Sequence, residues 1–442
     1  MDTAFNPLYY NAIDQIYHSS WAAKKFARLE IFKQSIHRLW PKGHPTELVQ
    51  VVGTNGKGSV CRYLEAGFST QGTAGCYVNP HIFDYRERFS VQQQTVNQDD
   101  IVEIWEEKIK PICIEQALKG EQYIHSYADI GLLIALSLFE KYQVERAAIE
   151  TGCGGRYAHA TVLDVRAVAI TNVGEDHKKT LGSELWQRAL DKSGACRPGK
   201  PLFSSVQNVV SRRMLESICQ ALKSPLHAID IDDLEHFKTA LVRVCPAGLP
   251  AGSLLRSQHQ LWNATLSFAL LKHLLPVPND RAILQRFTEV RFQGRFQQIE
   301  DGIYADIAHN PNKIQALVHQ VKERFPSQRK IFVIGLSRAR SPQEVFAPIL
   351  TIADWLIVTS ASYAGIPPET IQQDLNAINK RKIPLEVVFD PQAALDQAKR
   401  TKDPQDIVIL TGSGYAIDQM LNPDPYLRHL NASYGWRSQR QD

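Results

Sequence analysis

Residues 51–59, VVGTNGKGS, constrain this chain more than any other stretch. An apolar run that begins near Leu48 enters three glycines, a lysine and a hydroxyl, and a helical pattern opens at Val60. Gly53, Gly56 and Gly58 let a backbone turn tightly and aim its N–H groups inward, while Lys57 supplies a point charge. Ser59, at the helix start, can place its hydroxyl on a magnesium ion, and the helix N-terminus favours an anion. Strand, glycine loop and helix in that order predict a phosphate cradle; a glycine-rich turn without a ligand is the plainer alternative. A glycine between the lysine and the serine sets the spacing apart from the usual P-loop.

A chain of 442 residues exceeds what one core holds, and two or three domains are expected. At 44% hydrophobic and 22% charged it reads as a globular protein, and its net charge of +4 gives no basic field for nucleic acid. Residues 9–16 carry an aspartate and a glutamine and are not read as a signal sequence, and no run approaches a membrane span. The seven cysteines are scattered and never form a C-x-x-C pair. They are read as reduced thiols of a cytoplasmic protein, not as a disulfide framework or a zinc cluster.

Along the chain, residues 10–40 carry Ile13, Ile16, Phe26, Leu29, Ile31 and Phe32 at helical spacing. A strand over 47–52 and a helix over 60–68 follow, and a second strand, 74–78, leads into Asn79, Pro80 and His81. Loops at strand C-ends line the ligand crevice of doubly wound folds. For the charge run 84–88 a solvated turn is the plainer alternative. Helices are expected over 101–118, interrupted at Pro111, and over 127–142, the second apolar enough to be buried against a sheet.

The strand 146–150 ends in Glu150 ahead of Gly152, Gly154 and Gly155, a place where an α/β nucleotide protein keeps a metal ligand. Alone, such an acid is more often a cap or an ion-pair partner. The strand 165–173 delivers Glu175, Asp176 and His177 to the same edge, and Lys192 follows in a helix that Pro198 and Gly199 end. Taken singly, a histidine after a strand is ordinarily structural and a helix lysine ordinarily exposed. Three successive strand ends offering Ser59, Glu150 and His177 nevertheless make a constellation, and its oxygen and nitrogen donors suit magnesium. The apolar helix 261–275 carries Asn263 near its start. Residues 277–280 and then 292–295 read as a boundary, after which strands at 303–307, 330–335, 355–359, 385–389 and 407–411, with a helix at 312–325, form a second α/β unit. The tail from Pro423 is expected to be loosely packed.

These stretches together resemble the Mur ligase superfamily, in its folylpolyglutamate synthase and dihydrofolate synthase branch. GTNGKGS at 53–59 looks like the family's nucleotide loop, and NPHIFDYRERF at 79–89 is similar to its substrate loop. ETGCGGR at 150–156, TNVGEDH at 171–177, DKSGACRPG at 191–199, HQLWNAT at 259–265, GRF at 294–296, ADIAHNP at 305–311 and LTGSGY at 410–415 follow in the family's order. The resemblance runs from about residue 45 to about 420. It implies an α/β fold, with an N-terminal P-loop ATPase domain around a central, mostly parallel sheet over residues 1–290. A smaller C-terminal Rossmann-like α/β domain over 296–442 would complete the site by closure.

The reaction so implied joins a carboxylate to an amine at the expense of ATP. The acceptor carboxylate attacks the γ-phosphate, and the amino group of an incoming amino acid displaces phosphate from the acyl phosphate. By the resemblance, Thr54, Asn55, Gly56, Lys57, Gly58 and Ser59 hold the nucleotide phosphates, with Asn263 at the adenine. Arg295 reaches the phosphates, and Asp306 and His309 meet the ribose and the phosphate region. Ser59 and Glu150 hold one magnesium ion and His177 a second, toward which Lys192 points if carbamylated. Lys57, His177, Lys192 and Arg295 are the catalytic candidates, and Asn79, Pro80, His81 and Arg156 face the substrate. The partners implied are a small-molecule carboxylate and an amino acid, glutamate or a similar one; no nucleic acid or membrane is expected, and the chain is expected to be a monomer.

Departures from the family pattern fall in the substrate regions. Tyr157-Ala158-His159-Ala160-Thr161 stands where the family reads Leu-Asp-Ala-Thr-Asn, Tyr127-Ala128-Asp129 replaces an opening Phe-Glu, and Leu336-Ser337-Arg338-Ala339-Arg340 replaces a Lys-Asp-rich loop. The ligase chemistry is therefore expected more firmly than a folate acceptor. A true folate enzyme, an ATP-binding regulator that has lost ligation, and a P-loop kinase are the competing readings.

Overall fold

The computed structural model describes residues 6–17, 25–120, 125–175, 178–250, 252–338 and 340–438. They fall into two units. The N-terminal unit runs to Arg291 but excludes Ile82–Asp84, and the C-terminal unit comprises Ile82–Asp84 together with the chain from Phe292 onward.

The N-terminal unit is built on an eight-stranded sheet of order β4-β3-β2-β5-β1-β6-β7-β8. Its strands are β1 (Glu47–Val52), β2 (Ala74–Tyr77), β3 (Phe89–Val91), β4 (Gln94–Thr95), β5 (Arg146–Glu150), β6 (Ala167–Ile170), β7 (Leu202–Ser204) and β8 (Leu226–Ala228). All neighbours are parallel except β2–β3 and β3–β4. The central trio β5, β1 and β6 is buried almost throughout, which is why these segments read as continuous apolar runs instead of alternating ones. Their register sets Glu150 opposite Val51 and Ile170 opposite Val52, so three chain ends arrive together where Gly53 begins the loop.

Helices cover the sheet. The loop helix Lys57–Phe68 is buried from Gly58 to Phe68, and the helix Tyr127–Lys141 from Asp129 to Phe139. The latter begins with a capping box in which Ser126 and Asp129 satisfy each other's backbone N–H groups. The segment expected as one helix with a break at Pro111 is instead helical over Gln98–Glu103, a π-turn over Ile104–Ile109, and helical again over Lys110–Ala117. Pro111 lies at the start of that last piece, directly after the π-turn.

The C-terminal unit holds a six-stranded sheet of order β13-β12-β11-β14-β10-β9. It comprises β9 (Gln297–Glu300), β10 (Ile303–Asp306), β11 (Lys330–Ile334), β12 (Trp355–Val358), β13 (Leu385–Val387) and β14 (Ile407–Thr411), with only β9 antiparallel. Apolar clusters fill both faces, one around Phe332, Phe346 and Ile409 and the other around Val333, Val408 and Leu410.

Three further expectations are corrected. The charge run 84–88 is no solvated turn: Asp84, Arg86, Glu87 and Arg88 are all less than 10% exposed. Arg86 lies over the Tyr9 ring and Arg88 over the rings of Tyr85 and Tyr127, so aromatic faces take the place of water. The tail after Pro423 is a helix, Pro425–Ser438, with Leu427 and Asn431 buried. The helix bearing Lys192 spans Leu185–Ser193 and stops at Gly194, ahead of Pro198. A further helix, Asp280–Glu289, occupies the stretch between the two segments read as a boundary.

Candidate active site

Gly53 leaves β1 with φ +150°, and Gly56 caps the loop helix in the left-handed region, φ +84°. Space as well as conformation demands glycine at both. A Cβ on Gly53 would lie 1.9 Å from Thr171 Oγ1, and one on Gly56 2.3 Å from Asn263 Oδ1. The loop is tied to the end of β6: the Thr54 N–H donates to the Asn172 carbonyl at 3.0 Å, and the Asn55 N–H to Asn172 Oδ1 at 2.9 Å. Thr171 Oγ1 donates to the Asn55 carbonyl at 2.5 Å, and Thr54 Oγ1 accepts from the Gly174 N–H at 2.9 Å. A loop so held needs little rearrangement when an anion arrives.

Charged groups converge on it. Lys57 Nζ donates to the Thr54 carbonyl at 3.3 Å and stands 3.7 Å from Glu150 Oε1. Glu150, 4% exposed, accepts from the Asn79 N–H on its other oxygen at 2.8 Å. Ser59 Oγ accepts from Gln260 Nε2 at 3.1 Å, and Asn263 Nδ2 donates to Gln260 Oε1 at 3.4 Å. The helix Gln258–Leu274 thereby holds Ser59 from behind. Lys192 is 3% exposed, and its ammonium donates to the Gly53 carbonyl at 3.2 Å. Its helix is pinned through Asp191, whose Oδ1 accepts from the Gly155 N–H and whose carbonyl accepts from the Arg156 N–H, both at 2.8 Å.

Of the predicted site residues in the N-terminal unit, the structure thus gathers Thr54, Asn55, Gly56, Lys57, Ser59, Glu150, Lys192 and Asn263 around one loop, with Asn79 bonded to Glu150. His177 lies outside the described residues. His81 sits in an aromatic and basic nest: Tyr17 Oη is 2.8 Å from its Nε2, and Arg88 Nε donates to its Nδ1 at 2.8 Å. Arg88 also reaches Asn79 Oδ1. Arg156 is exposed, with its guanidinium 5.5 Å from the Tyr157 ring.

The donor set can be tested for magnesium. A buried carboxylate and a serine hydroxyl at adjoining strand and helix ends are hard oxygen ligands. Among the described residues no group of three His, Cys, Asp or Glu side chains forms a cage. The residues therefore fit an ion that keeps several waters and takes few protein ligands.

In the C-terminal unit, Asp306 at the end of β10 accepts from the Phe296 and Ala308 N–H groups, both at 2.8 Å, and burial raises its carboxyl above the usual value. His309 Nδ1 is 2.8 Å from the Ile307 carbonyl, and its Nε2 is 3.3 Å from Lys313 Nζ. Burial, with Lys313, Arg340 and Arg295 nearby, holds the imidazole well below its ordinary pKa, so it is neutral at pH 7. Arg295 lies over the Phe292 ring.

Sequence reasoning missed Gln260, Asn172 and Lys313. Helical spacing holds the signal for one of them: Gln260 is three residues before Asn263 and shares its helix face, whereas Lys313 lies in a helix that starts only after His309. Asn172 acts through its own backbone and side chain in a loop, which no periodicity marks.

Residues 294–414 match the family model described as Mur ligase, glutamate ligase domain. The chain is 26% identical over 408 residues to a probable bifunctional folylpolyglutamate synthase/dihydropteroate synthase of Haloferax volcanii, covering 87% of this chain and 47% of that one. It thus spans about half the length of that relative. To the dihydrofolate synthase/folylpolyglutamate synthase of Bacillus subtilis it is 25% identical over 416 residues, covering 88% and 93%. A crystal structure of the bifunctional folylpolyglutamate synthase/dihydrofolate synthase of Yersinia pestis, complexed with AMPPNP and Mn ion, has the same fold. Its TM-score is 0.75 at 23% identity, with 95% of this chain and 98% of that one covered. Matched domain, relatives spanning both units and a shared two-sheet architecture point the same way: residues 294–414 match a Mur ligase glutamate ligase domain, and the whole chain is similar in sequence and fold to folylpolyglutamate synthase/dihydrofolate synthase proteins.

Proposed function

We propose that this protein is an ATP-dependent carboxylate–amine ligase that joins an amino acid, glutamate or a close analogue, to a small-molecule carboxylate and releases ADP and phosphate. The observation that carries the reading is the convergence of Lys57, Ser59, Glu150 and Lys192 on one glycine loop, in a chain whose other unit matches a glutamate ligase domain.

Two anions must meet in such a reaction, so cations and oriented N–H groups carry most of the catalytic burden. Lys57 and the amides of Thr54 to Ser59 neutralise and orient the β- and γ-phosphates as the acceptor carboxylate attacks. Ser59 and Glu150 hold magnesium, which screens phosphate charge when bound. Lys192 as a carbamate, with His177, serves a second ion. A carbamate replaces an ammonium with an oxygen ligand, which an unmodified lysine could not supply. Asn263 serves the nucleotide side, and Asn79, Pro80, His81 and Arg156 the acceptor side. On the C-terminal unit, Arg295, His309 and Asp306 serve the nucleotide, with neutral His309 adding no charge of its own.

The experiment is ATP-dependent phosphate release with mass detection of products, offering dihydropteroate and a tetrahydrofolate separately with a panel of amino acids that includes glutamate. A glutamyl product identifies a folate enzyme. A different amide product keeps the ligase and assigns the altered stretches 127–129 and 157–161 to another acid. Phosphorylation of a hydroxyl without amide formation refutes the ligase reading.

A further inference from the structure

A cleft in the N-terminal unit involves none of these residues. It lies between the loop helix, the β3–β4 turn and the helix Asp280–Glu289, holds about 320 Å³, and is lined chiefly by Arg62, Gln93, Gln94, Arg286, Glu289 and Arg291. Three arginines thus share the lining with one carboxylate. That carboxylate is already engaged, Glu289 Oε2 being 3.3 Å from Arg286. Arg62 is fixed in place, donating to Glu65 at 3.3 Å and to the Glu87 carbonyl at 3.0 Å. Arg291 donates to the carbonyls of Thr288 and Val290 at 2.9 and 3.0 Å.

The turn that walls the cleft is a second observation. Gln92 and Gln93 form a two-residue hairpin connection with φ +52° and +65°, a conformation that Asn and Gly take with least strain. Gln92 braces the turn: its Nε2 donates to the Gly72 carbonyl and its Oε1 accepts from the Ala74 N–H, both at 3.4 Å. The Gln93 N–H donates to Glu65 Oε1 at 2.9 Å, and the residue lines the cleft. A side chain kept at a strained position, beside fixed arginines, points to a ligand that needs its amide.

We propose that this cleft binds a small organic polyanion carrying two or more carboxylate or phosphate groups. Guanidinium forks from Arg286 and Arg291 take its oxyanions, Arg62, held by the buried Glu65, supplies fixed N–H donors, and the glutamine amides donate to the remaining oxygens. Arg62 sits one helical turn beyond Ser59, so the occupant contacts the helix that carries the phosphate loop.

The test is titration calorimetry at low ionic strength with citrate, inorganic pyrophosphate and acetate, on the wild-type chain and on Lys57→Ala, in which the phosphate cradle no longer competes. We expect citrate or pyrophosphate to bind Lys57→Ala once per chain, acetate not to bind, and added salt to weaken the interaction. Citrate alone assigns a polycarboxylate, and pyrophosphate alone a phosphorylated compound. Arg286→Gln and Arg291→Gln should each weaken binding about tenfold. Gln93→Gly should raise the melting temperature by about 1–3 °C while weakening binding, a split that a purely structural turn would not give. Absence of heat with both polyanions, or affinities unchanged in both arginine variants, overturns the proposal.

Discussion

Lys57 makes one carbonyl hydrogen bond and one ion pair, and neither supports the core. If Lys57 is the cation of the proposed phosphate cradle, Lys57→Ala is expected to lose at least about a hundredfold in turnover while melting at the wild-type temperature. Phosphate release at the wild-type rate would remove the cradle assignment. Lys192 offers a sharper test because it is buried against the Gly53 carbonyl. Lys192→Ala should be inactive and partly restored by acetate or another short carboxylate if the native side chain is carbamylated; full activity in the plain variant refutes that role. Lys57, Ser59 and Glu150 were legible in the sequence because their chemistry fixes their place, at the ends of strands and the start of a helix. Gln260 was not, because its role lies in a hydrogen bond to Ser59 across more than two hundred residues.

At the scale of elements, the packing of the Lys192 helix on the glycine turn after β5 sets the geometry of the site. A Cβ on Gly155 would come within 2.5 Å of the Lys192 carbonyl, whereas one on Gly152 would meet open space. Gly155→Ala should displace the helix and lower both activity and melting temperature, and Gly152→Ala should leave both unchanged; equal behaviour of the two would argue against this packing. The β3–β4 hairpin depends on Glu65, fully buried, which accepts from Ser90 Oγ, the Gln93 N–H and Arg62. Glu65→Ala should destabilise the fold by about 3–5 kcal/mol in urea titration, because it strands a buried guanidinium. The long apolar strands β1, β5 and β14 were read directly from the sequence. The two- and three-residue strands β4, β7 and β8 were not, since so few residues show no period and depend on neighbours already in place.

The molecule as a whole carries a pH signature that can be assigned to its parts. His309 is neutral in the fold, with a pKa well below the ordinary 6.5. As pH falls below about 6.5, the unfolded chain takes up a proton that the folded chain refuses, so stability drops; above that pH the residue contributes nothing. Unfolding midpoints in urea should decline between pH 7 and pH 5, and His309→Gln should remove up to about 1.4 kcal/mol per pH unit from that slope. An unchanged slope would show that His309 protonates as readily in the fold. His44 and His125 are likewise lowered by burial and add to the same decline in the N-terminal unit.

The alternation of strands and helices after residue 300 showed a second α/β unit in the sequence, yet not its full membership. Ile82 packs in the core formed by Ile307, Leu410 and Ile417, and the Phe83 carbonyl accepts from both Asn422 and Asn431. Those two asparagines fasten the helix Pro425–Ser438 and the turn before it to three residues that the gene encodes more than two hundred codons earlier. The C-terminal unit is therefore not a separable cassette. A recombinant fragment beginning at Phe292 would carry a hole where Ile82 belongs and two side-chain amides without their acceptor. Grafting that unit onto another ATPase would transplant an incomplete core unless the 82–84 segment travelled with it.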